Sequence, residues 1–294
     1  MSTDVATVPV AAAVPTAPAE PEPARRGRGR GRLRTVLLGL PVPLLFLVVW
    51  HLGRENEWEL PFGIRMGFLP YPADVAAGLA NYVAGIRDDA FSNLLWEDLP
   101  ASALRVFSGF ALATLIAVPL GVLMGRFNTV NSLFDPMINL FRPIPATAWV
   151  PLVALLIGYG DQASIFLITL SAFFPIVLGT VSGARQVPER LLEAARMLGT
   201  TGVGTLLRVV LPAAAPAIVN GMRVGLGLAW VILVLSETTG VPTGLGSTIF
   251  LARDVVQTDQ IVVGMICIAV AGFLSDRLLM LVVRVLFRDR PLIK

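Results

Sequence analysis

Three residue types are almost missing from this 294-residue chain, which holds one cysteine (Cys267), one histidine (His51) and one lysine (Lys294). A single cysteine excludes an intrachain disulfide. With only one histidine beside it, a Cys/His zinc site and a bis-histidine haem are excluded too. A phosphate-binding P-loop needs a lysine behind its glycines and none stands there, so ATP hydrolysis by that route is ruled out. Ser-His-Asp chemistry would rest on His51 alone, with no nucleophile motif nearby. Cys267 sits in an apolar run and reads as core filler, and His51 closes the first apolar run and reads as interfacial. The chain is therefore not expected to be an enzyme, and no cofactor or metal site is expected. Charge is scarce as well: 15% of residues are charged against 55% hydrophobic, with mean hydropathy +0.75. That balance belongs to an all-α, polytopic membrane protein. The net charge of +3 comes from arginine, which bears on orientation in a membrane rather than on nucleic acid.

In chain order, residues 1–34 form a disorder-prone arm that ends in the basic run RRGRGRGRLR, expected on the cytoplasmic side against anionic lipid. The length of the arm argues for an uncleaved signal-anchor. Residues 35–99 hold a first span at 36–52 and an acidic segment with eight carboxylates against three arginines. Within that segment, 72–83 has the pattern of an amphipathic surface helix. Residues 100–287 form the core, with further spans at 101–124, 133–157, 163–181, 213–235 and 261–286, about six in all at membrane-crossing length. Residues 288–294 are a basic tail. Arg105 lies near the outer end of the second span and is expected to snorkel to the interface. Gly121 and Gly125, and then Gly179 and Gly183, have the spacing that lets helices approach closely. The third span is interrupted by Pro136, Pro143, Pro145 and Pro151, a kinked helix whose freed carbonyls need protein or a water-filled path. Residues 240–260 read as an outer loop.

The polar stretch 186–212 stands apart from these apolar runs. It reads as two short amphipathic helices joined by a Gly/Thr turn. Pro188 opens the first, Leu191, Leu192, Ala195 and Leu198 form its apolar stripe, and Gly199 ends it. Thr200 or Thr201 is expected to cap the second, and Pro212 to end the segment and be able to open the next helix. Glu193-Ala194-Ala195, three residues, Gly199, nine residues, Val209, one residue and Leu211-Pro212 resemble the EAA loop of ABC-importer permeases, EAA-x3-G-x9-I-x-LP, with Val for Ile as the departure. Arg142-Pro-Ile-Pro145 and Trp149-Val-Pro151 resemble a stretch of the nitrate/sulfonate/taurine branch of that family. The resemblance covers roughly residues 60–287.

The resemblance implies the type I importer permease fold, with a cytoplasmic coupling-helix hairpin. Glu193, Ala194, Ala195, Gly199, Leu211 and Pro212 would engage a separate ABC ATPase subunit. A second permease chain, expected to be identical, would complete the path, and an extracytoplasmic solute-binding protein would deliver a small anionic solute of the nitrate, sulfonate, taurine or bicarbonate kind. Arg142, Pro145, Asn220, Arg223, Trp230 and Glu237 are the candidates for the substrate path. Arg223, near mid-span, must face protein or water rather than lipid, either as an anion attractor or paired with carbonyls or a carboxylate between helices. Charge places the molecule independently of the resemblance. The arm, Arg126, Arg190, Arg196, Arg208 and the tail fall on one side, which is the cytoplasmic side of a bacterial inner membrane, with both termini inside. The competing reading is an ion-coupled secondary transporter or channel, which calls for membrane carboxylates and related halves; the chain has few of the former and no convincing repeat.

Overall fold

A computed structural model describes residues 39–286 apart from Thr239. The basic arm, the tail and the first part of the predicted span 36–52 lie outside the described residues. The chain divides into two units, one ending at Val49 and the other beginning at Trp50. The first described helix, α1 (Pro41–Glu55), runs across that division, with Pro41 and Pro43 in its first turn where no backbone donor is missed.

In the second unit, a two-stranded antiparallel hairpin follows α1, with β1 (Glu59–Leu60) paired to β2 (Ile64–Arg65). α2 (Pro72–Ala84) matches the amphipathic helix read from the sequence. It has Pro72 in its first turn and Gly85 in the left-handed conformation at its end. It buries Val75, Gly78, Asn81 and Tyr82.

Among the described residues, four helices are long and apolar enough to cross a membrane. They are α3 (Leu95–Arg126), α6 (Asp161–Arg185), α8 (Leu211–Glu237, continuous with the turns from Val203) and α10 (Thr258–Leu286). The third predicted span is not a kinked single helix. It divides into α4 (Asn128–Phe141) and a segment from Ala146 that includes α5 (Val150–Leu156), and the two are bent by 83°. Pro143 and Pro145 fall in the break, where each removes a donor and disfavours the helical conformation of the residue before it. The predicted outer loop at 240–260 also differs, because it contains a ten-residue helix, α9 (Leu245–Asp254), started by the Gly244 turn.

α6 is the central helix, with α3 on one side and α8 on the other. Small residues set the spacing. A Cβ on Gly121 would lie 2.6 Å from the Thr180 Cβ, and one on Gly179 would lie 2.9 Å from the Gly221 Cα. These glycines let backbones meet where any side chain would separate them, as the glycine spacing predicts. Ala117, Ala172, Ile176 and Val177 fill the seams between them.

Candidate functional site

One end of the bundle carries the polar hairpin. α7 (Glu189–Met197) starts directly after Pro188 and turns Leu192 and Ala195 inward, where both are buried. Of the predicted stripe, Leu191 and Leu198 instead face outward; Leu198 is 83% exposed, and its neighbour Met197 88%. Glu193 and Ala194 also point outward, so the EAA triplet presents two residues and anchors with the third. α7 closes in a Schellman turn. The Gly199 N–H donates to the Arg196 carbonyl at 3.0 Å and the Thr200 N–H to the Ala195 carbonyl at 3.0 Å, with Gly199 at φ +76°. No atom lies within 4 Å of where a Gly199 Cβ would be, so the demand for glycine there is conformational.

Two expectations for the second half of the hairpin need correction. Neither Thr200 nor Thr201 caps it: the helix begins after Gly202 with no side-chain cap, and the Thr200 hydroxyl donates to the Ala195 carbonyl at 2.7 Å. Pro212 stands in the first turn of α8, as a residue that could open the next helix, but it does not end the segment before it. A π-helical turn, Leu206–Val210, carries the chain straight into α8, and the Leu211 N–H reaches back to the Leu206 carbonyl. The wide turn changes the backbone pairing just before Pro212 and Pro216, which have no N–H to give, so the helix passes through them unbroken.

Midway along the bundle, the break between α4 and α5 opens onto a cavity of about 650 Å3. Arg142, Pro145, Thr147, Ser171 and Asn220 line it among mostly apolar neighbours. Three predicted path residues (Arg142, Pro145 and Asn220) thus come together. Arg142 caps α4 through its backbone, and its guanidinium has no hydrogen bond or ion pair among the described residues. Arg223 and Trp230 lie elsewhere, along a groove between α8 and α10. There Arg223 is held by both oxygens of Asp276, at 2.6 and 2.9 Å. Trp230 is buried, and its indole Nε1 finds no acceptor among the described residues.

Glu237 lines neither space. It is 1% exposed, in a polar knot at the end of the bundle away from the hairpin. Arg105 does not snorkel. It is buried, its Nη1 donating to Glu237 at 2.6 Å and to the Thr243 carbonyl at 2.7 Å, its Nε to Asp161 at 2.7 Å. Ser102 donates to Glu237 at 2.7 Å, and so does the Gly246 N–H. Beside them Asp98 accepts from Tyr82 at 2.5 Å, Thr248 at 2.5 Å and the Gly244 N–H at 2.8 Å. Burial first, then the hydrogen bond to Asp98, holds the Tyr82 phenol well above its ordinary pKa. Sequence reasoning missed this knot. Its signal was the spacing of Asp98, Ser102 and Arg105, which places all three on one helical face.

These features define a class: a helical membrane permease core with small-residue helix seams, a broken helix around a mid-depth cavity, and a polar hairpin at one end. Residues 117–290 match the model of the binding-protein-dependent transport system inner membrane component, and the chain belongs to that family. It is 44% identical over 244 residues to an ABC transporter permease protein of Methanocaldococcus jannaschii, covering 82% of this chain and 88% of the other. It is 33% identical to the taurine transport system permease protein of Escherichia coli (82% and 85% covered), and 31% identical to the bicarbonate transport system permease protein of Synechococcus elongatus (82% and 86% covered). Among solved structures, an inward-facing methionine ABC transporter matches in fold. The TM-score is 0.55 at 22% identity, with 67% of this chain and 99% of that one covered. The chain is thus the permease component of an ABC transporter, and its kin belong to ATP-driven systems rather than to ion-coupled carriers.

Proposed function

We propose that this chain, paired with a second copy of itself, forms the membrane path of an importer for a small anionic solute, and that the hairpin at 186–212 docks a separate ATPase subunit. The observation that carries this reading is the hairpin. A Schellman-closed helix seated on the end of the bundle through Leu192 and Ala195 exposes Glu193 and Ala194 beside the apolar side chains of Met197 and Leu198. An exposed apolar patch next to a carboxylate, outside the membrane, suits a protein partner. Glu193 makes the polar contact, Ala194 permits close approach, and Ala195, Leu211 and Pro212 hold the helix on the bundle. Because the second half of the hairpin, from Val203, runs unbroken into α8, movement of the docked ATPase passes through the Gly199–Gly202 turn to a wall of the cavity. The positive-inside rule puts the hairpin and both termini in the cytoplasm of a bacterial cell and leaves the opposite end to a solute-binding protein. The relatives named for taurine and bicarbonate support a small anion as cargo.

Co-purification of the detergent-solubilised chain with its cognate ATPase subunit tests this. Wild type is expected to bring the ATPase down in fixed ratio, and Gly199→Asp to lose it or to hydrolyse ATP without uptake. An ATPase that ignores wild type, or a Gly199→Asp variant with normal coupling, overturns the docking assignment.

A further inference from the structure

Two of the arginines set among the spans, Arg142 and Arg223, are in different electrostatic states. Arg223 is neutralised by a bidentate grip from Asp276, so its charge projects little beyond the pair. Arg142 has no partner among the described residues, and no carboxylate lines the cavity it faces. The depth of that cavity follows from its walls. Ser171, Phe174 and Gly179 come from the middle of α6, and Asn220 and Val224 from the middle of α8. An unpaired cation at that depth is strongly disfavoured unless water or an anion reaches it. The helix break that presents Arg142 has the same requirement, because its freed backbone groups also need a wet surface.

We infer that this cavity is an anion-selective station on the solute path, with Arg142 supplying its positive field and Arg223 serving only as a strut between α8 and α10. The inference rests on the transport reading above and assigns the cargo by chemistry. The head of a small monoanion, a sulfonate or carboxylate, meets Arg142 and the Asn220 amide, while a short alkyl stem lies against Phe174, Val224 and Leu228. One cation on an otherwise apolar wall attracts an anion without holding it, which passage requires. Cations find no counter-charge there.

The electrostatics can be read without knowing the cargo. In the full transporter complex, Asn220→Cys is introduced on a Cys267→Ala background, which removes the sole native thiol. Its modification rates are then measured with the ethylsulfonate and the ethyltrimethylammonium methanethiosulfonates, the first of which is itself an alkyl sulfonate. The ratio of anionic to cationic rate is expected to exceed that of a free thiol and to fall about tenfold with Arg142→Gln, the size of one nearby unit charge in a wet site. It should persist with Arg142→Lys and be unmoved by Arg223→Gln. A ratio indifferent to Arg142→Gln, an equal fall with Arg223→Gln, or an introduced thiol that reacts with neither reagent overturns the assignment. None of these readouts depends on ATPase binding, so failure here is distinguishable from failure of the docking hairpin.

Discussion

The two ends of the bundle solve opposite problems. At the end away from the hairpin, Arg105, Asp98 and Glu237 are buried, and between them they form hydrogen bonds with α2, α3, α6, α8, α9 and the turn at Thr243–Gly244. At the hairpin end, Glu193, Met197 and Leu198 are exposed, and a single glycine turn shapes the helix that carries them. One end holds its charges inside the protein, and the other leaves polar and apolar groups uncovered. Residues at the first end should therefore govern whether the protein folds, and residues at the second whether it couples.

The largest expected effect comes from opening the closed end. Glu237→Ala leaves the Arg105 guanidinium buried with Asp161, itself exposed, as its remaining carboxylate. Losing one partner of a buried pair costs about 3–5 kcal/mol. Thermal unfolding in detergent should show a large drop in Tm or no recoverable protein. A Glu237→Ala variant as stable as wild type would mean that the knot does not hold this end together. Next comes the seam between the ends. Gly121→Val places a branched side chain where the Thr180 Cβ already stands 2.6 Å from a bare Cβ. Overpacking of this kind destabilises by about 1–3 kcal/mol, and here it should also part α3 from α6. The same thermal measurement checks it, and an unchanged Tm would mean that the glycine spacing does not set the helix approach.

The comparison also shows which parts of the molecule the sequence discloses. The apolar runs at 101–124, 163–181, 213–235 and 261–286 each fall inside an observed helix, because length and hydropathy suffice to define a span. The close seams were legible as glycine pairs, and the hairpin as the one long segment after residue 100 too polar to cross a membrane. Two things were not legible. Pro143 and Pro145 signalled a kink, but whether a helix bends by a little or by 83° depends on what packs at the break, here α6 and α8. The partners of Arg105 lie 56 and 132 residues away along the chain, so an arginine near a helix end looked like an interfacial one. Likewise Arg223 and Asp276 are 53 residues apart, and composition alone left open whether that arginine was free or paired.

A smaller structural effect, with a large functional one, belongs to the open end. Gly199→Ala forces a non-glycine residue into the left-handed region with nothing around it to clash, so stability should fall by only about 1 kcal/mol. Coupling between ATP hydrolysis and uptake in proteoliposomes should fall further than that modest loss implies, because the turn aims Glu193 and Ala194 at their partner. A Gly199→Ala variant that loses stability and coupling in the same proportion would erase the contrast between the two ends.

An effect confined to stability refines the closed end. Tyr82→Phe removes one of the donors to Asp98 and leaves Thr248 and the Gly244 N–H in place. A hydrogen bond to a charged acceptor contributes about 1.5–3 kcal/mol, and the remaining donors should keep the loss near the lower figure. The pH dependence identifies the group. Folding raises the Tyr82 pKa above its ordinary value of 10.0, so its contribution is fully present below that pH and is lost as pH climbs beyond it, when the unfolded phenol ionises and the buried one does not. Wild type and Tyr82→Phe should therefore differ in Tm by a constant amount from neutral pH to about pH 10, and the two curves should converge above it. If the gap instead widens in alkali, the phenol is not held neutral by the knot, and the closed end is wetter than its buried hydrogen bonds imply.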